Sequence, residues 1–251
     1  MLITSVGNRI WWSILAVTAA LTWGIYALLS QLRPAEVTTA LLWCCIVVLI
    51  LYFAQRIFMF RDPVFLDCYG SDRKDLLVQL LPLQLCYFSL ILAMAGLYRN
   101  KPHILSFCFY ISTAGAIMAV LSPDGYYRDR SLLHPPIGLF YLLHGMLIAL
   151  YSNIGFLGLF PLSWQYGCIA VLVLILVAGA IHLVNLAGKA MGLEAINYFY
   201  TLHPGGSGIL ELLWRRIPIP YLYLILPSAL ATWLWAMLIT AIYQLMTCFA
   251  V

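Results

Sequence analysis

Seven apolar runs, each closed by proline, glycine or a knot of charge, limit what this chain can fold into more than any other feature of its sequence. About 20 consecutive apolar residues cross the hydrocarbon of a bilayer as one helix. Backbone groups there have no water to bond, so a helix or a closed barrel must satisfy them internally. The runs lie at 10–32, 38–60, 76–98, 103–121, 137–160, 166–187 and 221–248, and their length argues for helices. Between them stand Arg33-Pro34, the charged stretch 61–75, Arg99-Asn100-Lys101-Pro102, Ser122-Pro123-Asp124-Gly125, Pro161 and the long segment 188–220. With 64% hydrophobic and 9% charged residues, the composition excludes a soluble domain, in which charge is near ~25%. The expected fold is all-α, a polytopic membrane helical bundle of about seven transmembrane helices in a single domain over 1–251. No internal repeat is visible. The first run is too long for a signal peptide and lacks a small-residue cleavage site, so it reads as the first span.

Lys and Arg orient the bundle. Of the 13 such residues, only Arg33, Arg99 and Lys101 fall on the face opposite the N-terminus. The positive-inside rule then puts the N-terminus in and the C-terminus out, with 188–220 a long loop on the cytoplasmic side.

One stretch stands apart: Leu81-Pro82-Leu83-Gln84-Leu85-Cys86 sets an amide and a thiol just beyond a proline that helices tolerate only near their first turn. Counting ~1.5 Å per residue from the cytoplasmic face puts Cys86 roughly 15 Å deep and His144 roughly 10 Å deep. His182 and Asn185 lie a turn or so inside the same face. Polar and ionisable side chains in a span are costly and generally face the bundle interior. Taken singly, each has a bland reading: a thiol in hydrocarbon is a small hydrophobe, and a lone histidine beside Gly145 is interhelical glue. Taken as one layer, Cys86 and His144 suit a nucleophile and its base, with Asn185 or Gln84 orienting the imidazole or stabilising an oxyanion. The esters available at that depth are lipid acyl esters. A thioester at Cys86 would pass its acyl chain to a hydroxyl, and the scarcity of water favours transfer over hydrolysis.

Other chemistry finds less support in the sequence. The five histidines include no pair at i, i+4, and the seven cysteines show no C-x-x-C spacing. No phosphate-binding glycine motif is present. The expectation is no metal, no cofactor and no nucleic acid partner. Within 188–220, a short segment ending Trp214-Arg215-Arg216 is apolar on one side and basic at its end, which suits an interfacial helix acting as a gate or merely as a strap. Arg128 and Arg130 beside Tyr126 and Tyr127, with Arg215 and Arg216, are candidates for phospholipid headgroups.

The order and spacing of Leu81-Pro82-Leu83-Gln84-Leu85-Cys86, Leu121-Ser122-Pro123-Asp124, His144-Gly145, Asn185, Asn197-Tyr198 and Pro218-Ile219-Pro220-Tyr221 resemble those of the YwaF family, which includes the eukaryotic transmembrane protein 164. The resemblance runs from about residue 76 to the last span. It implies a cysteine-dependent acyltransferase, an activity ascribed to the eukaryotic branch, where polyunsaturated chains are placed on ether phospholipids. It further implies Cys86 as the acyl-accepting nucleophile, His144 as its base, and Asn185, Gln84, Asp124, Asn197 and Tyr198 as supporting polar groups. Gln84 stands where the family often has histidine, which leaves His144 the only base; Ser122 stands where it often has threonine.

The sequence therefore leads to a membrane-embedded acyltransferase or transacylase whose partner is a phospholipid or lysophospholipid. The competing expectation is a carrier or membrane assembly factor whose polar layer binds a ligand without covalent chemistry. Short tails and simple loops suggest a bacterial cytoplasmic membrane.

Overall fold

The structure, a computed structural model, describes residues 2–69, 72–205 and 208–249. Gly206 and Ser207 of the long loop fall outside the described residues. Apolar runs of spanning length become helices, and proline sets where several begin: α2 (Pro34–Met59), α3 (Pro63–Tyr69), α6 (Pro102–Phe107) and α8 (Pro135–Phe156) all open on it. A missing N–H costs nothing in a first turn, and the fixed φ is already helical. The remaining helices are α1 (Arg9–Leu29), α4 (Arg73–Leu80), α5 (Leu85–Arg99), α7 (Thr113–Leu121), α9 (Trp164–Ala190), α10 (Gly208–Arg216) and α11 (Leu222–Phe249). A π turn over Cys108–Ser112 joins α6 to α7.

Six spans pass a test of length and apolarity, or seven when α4 and α5, bent by 48° at their junction, are taken as one broken span. The run 76–98 is thus not one straight helix. Pro82 interrupts it: α4 ends at Leu80, and α5 restarts after Gln84 with its own N-terminus.

The most enclosed span is α8, flanked by α1, α2, α5 and α7. Small residues let its neighbours approach. A Cβ on Gly155 would lie 2.4 Å from the Phe109 ring, and one on Gly145 would lie 3.0 Å from Thr18 Oγ1 of α1. The glycine beside His144 therefore has a packing duty of its own. At one end of the bundle, the antiparallel pair β1 (Ile3–Thr4) and β2 (Arg130–Ser131) ties the N-terminus to the α7–α8 loop. Asp62 just after α2, the α7–α8 loop and the segment after α9 meet at that same end, through contacts described below.

Candidate functional site

Cys86 owes its setting to the break before it. Gln84 caps α5, and Tyr87 and Phe88 are the first N–H groups to close onto its carbonyl, at 3.0 and 2.8 Å. The N–H groups of Leu85 and Cys86 are left without an intrahelical acceptor, as in any first helical turn, and that end of a helix favours negative charge. Cys86 is therefore a buried thiol in the first turn of a helix that starts inside the bundle. From α8, the Tyr151 hydroxyl donates to the Cys86 carbonyl at 2.6 Å and fixes this turn. On α2, Tyr52 directs its hydroxyl at the carbonyls of Gln79, Leu80 and Leu81, 3.1–3.4 Å away, which the break has freed.

His144 lies seven residues before Tyr151, two turns away on the same face of α8. Its Nδ1 is 2.8 Å from the Phe140 carbonyl oxygen, which can only accept, so Nδ1 carries the hydrogen and Nε2 the lone pair. That is the tautomer a general base needs at Nε2. The imidazole rests against Phe140, ring centroids 4.3 Å apart, and edge-on to Tyr87 at 5.9 Å. No hydrogen bond joins Cys86 to His144. The link between them is Tyr87, next to Cys86 in the chain, whose ring lies edge-on to the imidazole.

Asn185 is placed elsewhere than beside the imidazole. Its amide nitrogen donates to the Tyr198 carbonyl and to Thr201 Oγ1, each at 2.8 Å, and its oxygen accepts from Tyr198 N at 3.0 Å. Gln84 Oε1 accepts from Phe199 N at 2.9 Å. Asn197 organises its own turn, bonding Leu202 N and the His203 carbonyl, while the Tyr198 hydroxyl reaches the Val78 carbonyl at 2.7 Å. These four residues clip a strap, 197–201, over the α4–α5 break. His182 joins it through Thr201 Oγ1 at 3.1 Å. Phe199, Tyr200 and Tyr221 hold φ values of 57°, 55° and 66°, a left-handed backbone that costs non-glycine residues about 1–3 kcal/mol each.

Asp124 accepts from the Tyr69 hydroxyl at 2.9 Å and the Tyr200 hydroxyl at 3.3 Å, tying the α7–α8 loop to α3 and the strap. Burial raises its carboxyl above the usual range, and the tyrosine hydroxyls and the Tyr126 N–H offset this only in part. Asp62 goes the other way. Burial would raise it, but the Tyr126 hydroxyl at 2.6 Å, the Val64 N–H, and His134 and Arg130 nearby outweigh that and lower it. Arg130 is spent on Asp62 at 3.4 Å and on the face of Tyr126. Arg128, Arg215 and Arg216 are exposed, the last two at the end of α10.

Two concavities stand out among the described residues. One of about 560 Å³ lies at the opposite end of the bundle, lined by Asn100, Phe160 and Tyr243 among others. The other, about 60 Å³ and apolar, sits between α1, α2 and α8. Neither is lined by Cys86 or His144.

Tyr87, Tyr151, Tyr200 and Arg56 escaped the sequence reading. The tyrosines carry no signal apart from their partners in space. Arg56 did carry one: four apolar residues, Ile57 to Phe60, separate it from Arg61, so it is a charge inside an apolar run.

Fold and interior together define a polytopic integral membrane protein with a polar, tyrosine-rich layer enclosed at one end of its bundle. The chain belongs to the TMEM164 family, whose model matches residues 4–245. No curated protein and no solved structure matches it.

Proposed function

We propose that this protein is a cysteine-dependent acyltransferase of the membrane, moving a fatty acyl chain between phospholipid and lysophospholipid through a thioester at Cys86. The observation that carries the reading is the position of that thiol, buried in the first turn of a helix that begins inside the bundle, beside free backbone N–H groups. Those N–H groups offer donors to the oxyanion that forms when an ester carbonyl is attacked.

In this reading His144 Nε2 takes the thiol proton as sulfur bonds the ester carbonyl carbon. Collapse of the tetrahedral intermediate breaks the ester bond, and the departing glycerol oxygen leaves with that proton as a lysophospholipid hydroxyl. A second lipid hydroxyl then repeats the steps in reverse and carries the chain away. Cys86 and His144 would come within bonding reach in the substrate complex, as catalytic contacts commonly do. The strained strap at 197–201 serves as the cover that opens for the lipid, and Arg128, Arg215 and Arg216 meet its headgroup from outside. The excess of Lys and Arg on this end points to the cytoplasmic leaflet, and the short loops suit a bacterial cytoplasmic membrane.

The test is acyl labelling of the purified protein in lipid with a clickable phospholipid acyl donor. We expect a hydroxylamine-sensitive adduct that disappears in Cys86→Ala and forms at least ~100-fold more slowly in His144→Ala, within the span for loss of a general base. Undiminished labelling of Cys86→Ala would end the proposal.

A further inference from the structure

Arg56, on the last turn of α2, turns into the bundle and is only 6% exposed. A long basic side chain at that position of a spanning helix ordinarily snorkels out to the headgroups. Here Nη1 donates to the Met59 sulfur at 3.4 Å, and Nε is buried with no partner. The guanidinium carbon stands 4.7 Å from the centre of the Tyr52 ring. The groups near enough to feel its charge are Tyr52, Tyr127, Tyr87, Tyr198 and His144, none of them a carboxylate, with the hydroxyls of Tyr52 and Tyr127 close enough to bond it. Among the described residues no carboxylate pairs with it: Asp62 is taken by Arg130 and His134, Glu36 by Arg33, and Glu194 by Lys189.

A buried cation with unused donors is costly, and the cost is relieved by an anion with hydrogen-bond acceptors. We propose that Arg56 is a binding site for the phosphodiester oxyanion of a glycerophospholipid. The planar fork of arginine suits two oxygens of one phosphate. Arg56 lies one turn from the end of α2, on the side that carries most of the basic residues. From there a line of rings leads inward: Tyr52 to Tyr87, centroids 4.2 Å apart, and Tyr87 to His144 at 5.9 Å. A lipid held by its phosphate at Arg56 would direct its glycerol esters along those rings towards the Cys86 layer. The direction of the substrate rests on the acyl-transfer reading; binding at Arg56 does not.

The test follows the thermal unfolding midpoint of the purified protein in maltoside micelles against added lysophosphatidylcholine, monoacylglycerol of the same chain, or inorganic phosphate. We expect a saturable rise with the lysophospholipid and none with monoacylglycerol. The apparent affinity should fall at least tenfold in Arg56→Gln. Arg56→Lys, which keeps the charge and loses the fork, should fall between, and it is the comparison to use if Arg56→Gln does not fold. A variant responding like the natural chain, or monoacylglycerol acting as well as the lysophospholipid, overturns the inference. Inorganic phosphate acting equally well overturns the lipid as the anion's source. Absence of any Cys86-dependent acyl adduct in the natural chain, together with a retained Arg56-dependent shift, would sink the proposed function and leave this site standing.

Discussion

Two carboxylates on different loops at the same end of the bundle are driven in opposite directions, and the difference is in what each touches. Asp124 is taken from water and receives mainly tyrosine hydroxyls, so its acid form is favoured. Asp62 adds Arg130 and His134 to its hydroxyl and backbone donors, so its anion is favoured. A raised folded pKa gives stability that is complete below the unfolded value and is lost as pH climbs through the folded one; a lowered pKa gives stability that is lost as pH falls through it. Unfolding midpoints recorded in micelles from about pH 3 to about pH 7, spanning the ordinary carboxylate range, should therefore separate the two. Asp124→Asn is expected to remove a loss of stability on the neutral side, and Asp62→Asn a loss on the acid side. Parallel curves for both variants and the natural chain would contradict these assignments. The sequence singled out Asp124 but passed over Asp62, since an acid beside Arg61 looks like any solvated loop charge until Tyr126 arrives from 64 residues away. Arg56 was marked by the apolar residues after it yet counted only towards orientation, like any basic residue near a span end, and packing shows that it faces inward.

Elements were more legible than contacts, because run length and proline act locally while hydrogen-bond partners do not. Each of the seven apolar runs has its helix or helix pair, and the amphipathic segment ending at Arg216 is a helix, α10. Pro82 announced a weak point, but its consequence, a fresh N-terminus at Leu85, depends on Tyr52 and the strap's Tyr198 hydroxyl taking up the freed carbonyls. Asn185 was legible as a buried polar residue and illegible in its role, which is to hold a strap 13 to 16 residues further on. Asn185→Leu would leave the Tyr198 N–H and carbonyl and the Thr201 hydroxyl short of partners. Unpaired buried groups cost about 1–3 kcal/mol, and the left-handed residues beside them make the strap the first part to yield. We expect a lower unfolding midpoint together with faster amide exchange at 198–201, ahead of any change in α8. A uniform change across the bundle would mean that Asn185 supports the whole interior.

At the scale of the molecule, sidedness is the property on which the proposed chemistry turns, since it decides which leaflet would supply the lipid. The enclosed layer, the strap, Arg56 and most of the basic residues share the end that holds the N-terminus; Arg33, Arg99 and Lys101 mark the other. That pairing requires α4 and α5 to cross together despite their 48° bend. Were they a re-entrant pair, every later element would change sides, and Asp124 and the strap could not lie at the end carrying Asp62 and Tyr69, where the hydrogen bonds of Tyr126 and Tyr200 place them. Cys68 in α3 is exposed at this end, so it reports the assignment without a new substitution. A membrane-impermeant maleimide added to intact cells should leave Cys68 unlabelled and label Lys101→Cys in a Cys68→Ser background, with the pattern reversed in inside-out vesicles. Labelling of Cys68 from outside would move the layer to the outer leaflet, and with it the lipid pool from which any substrate enters.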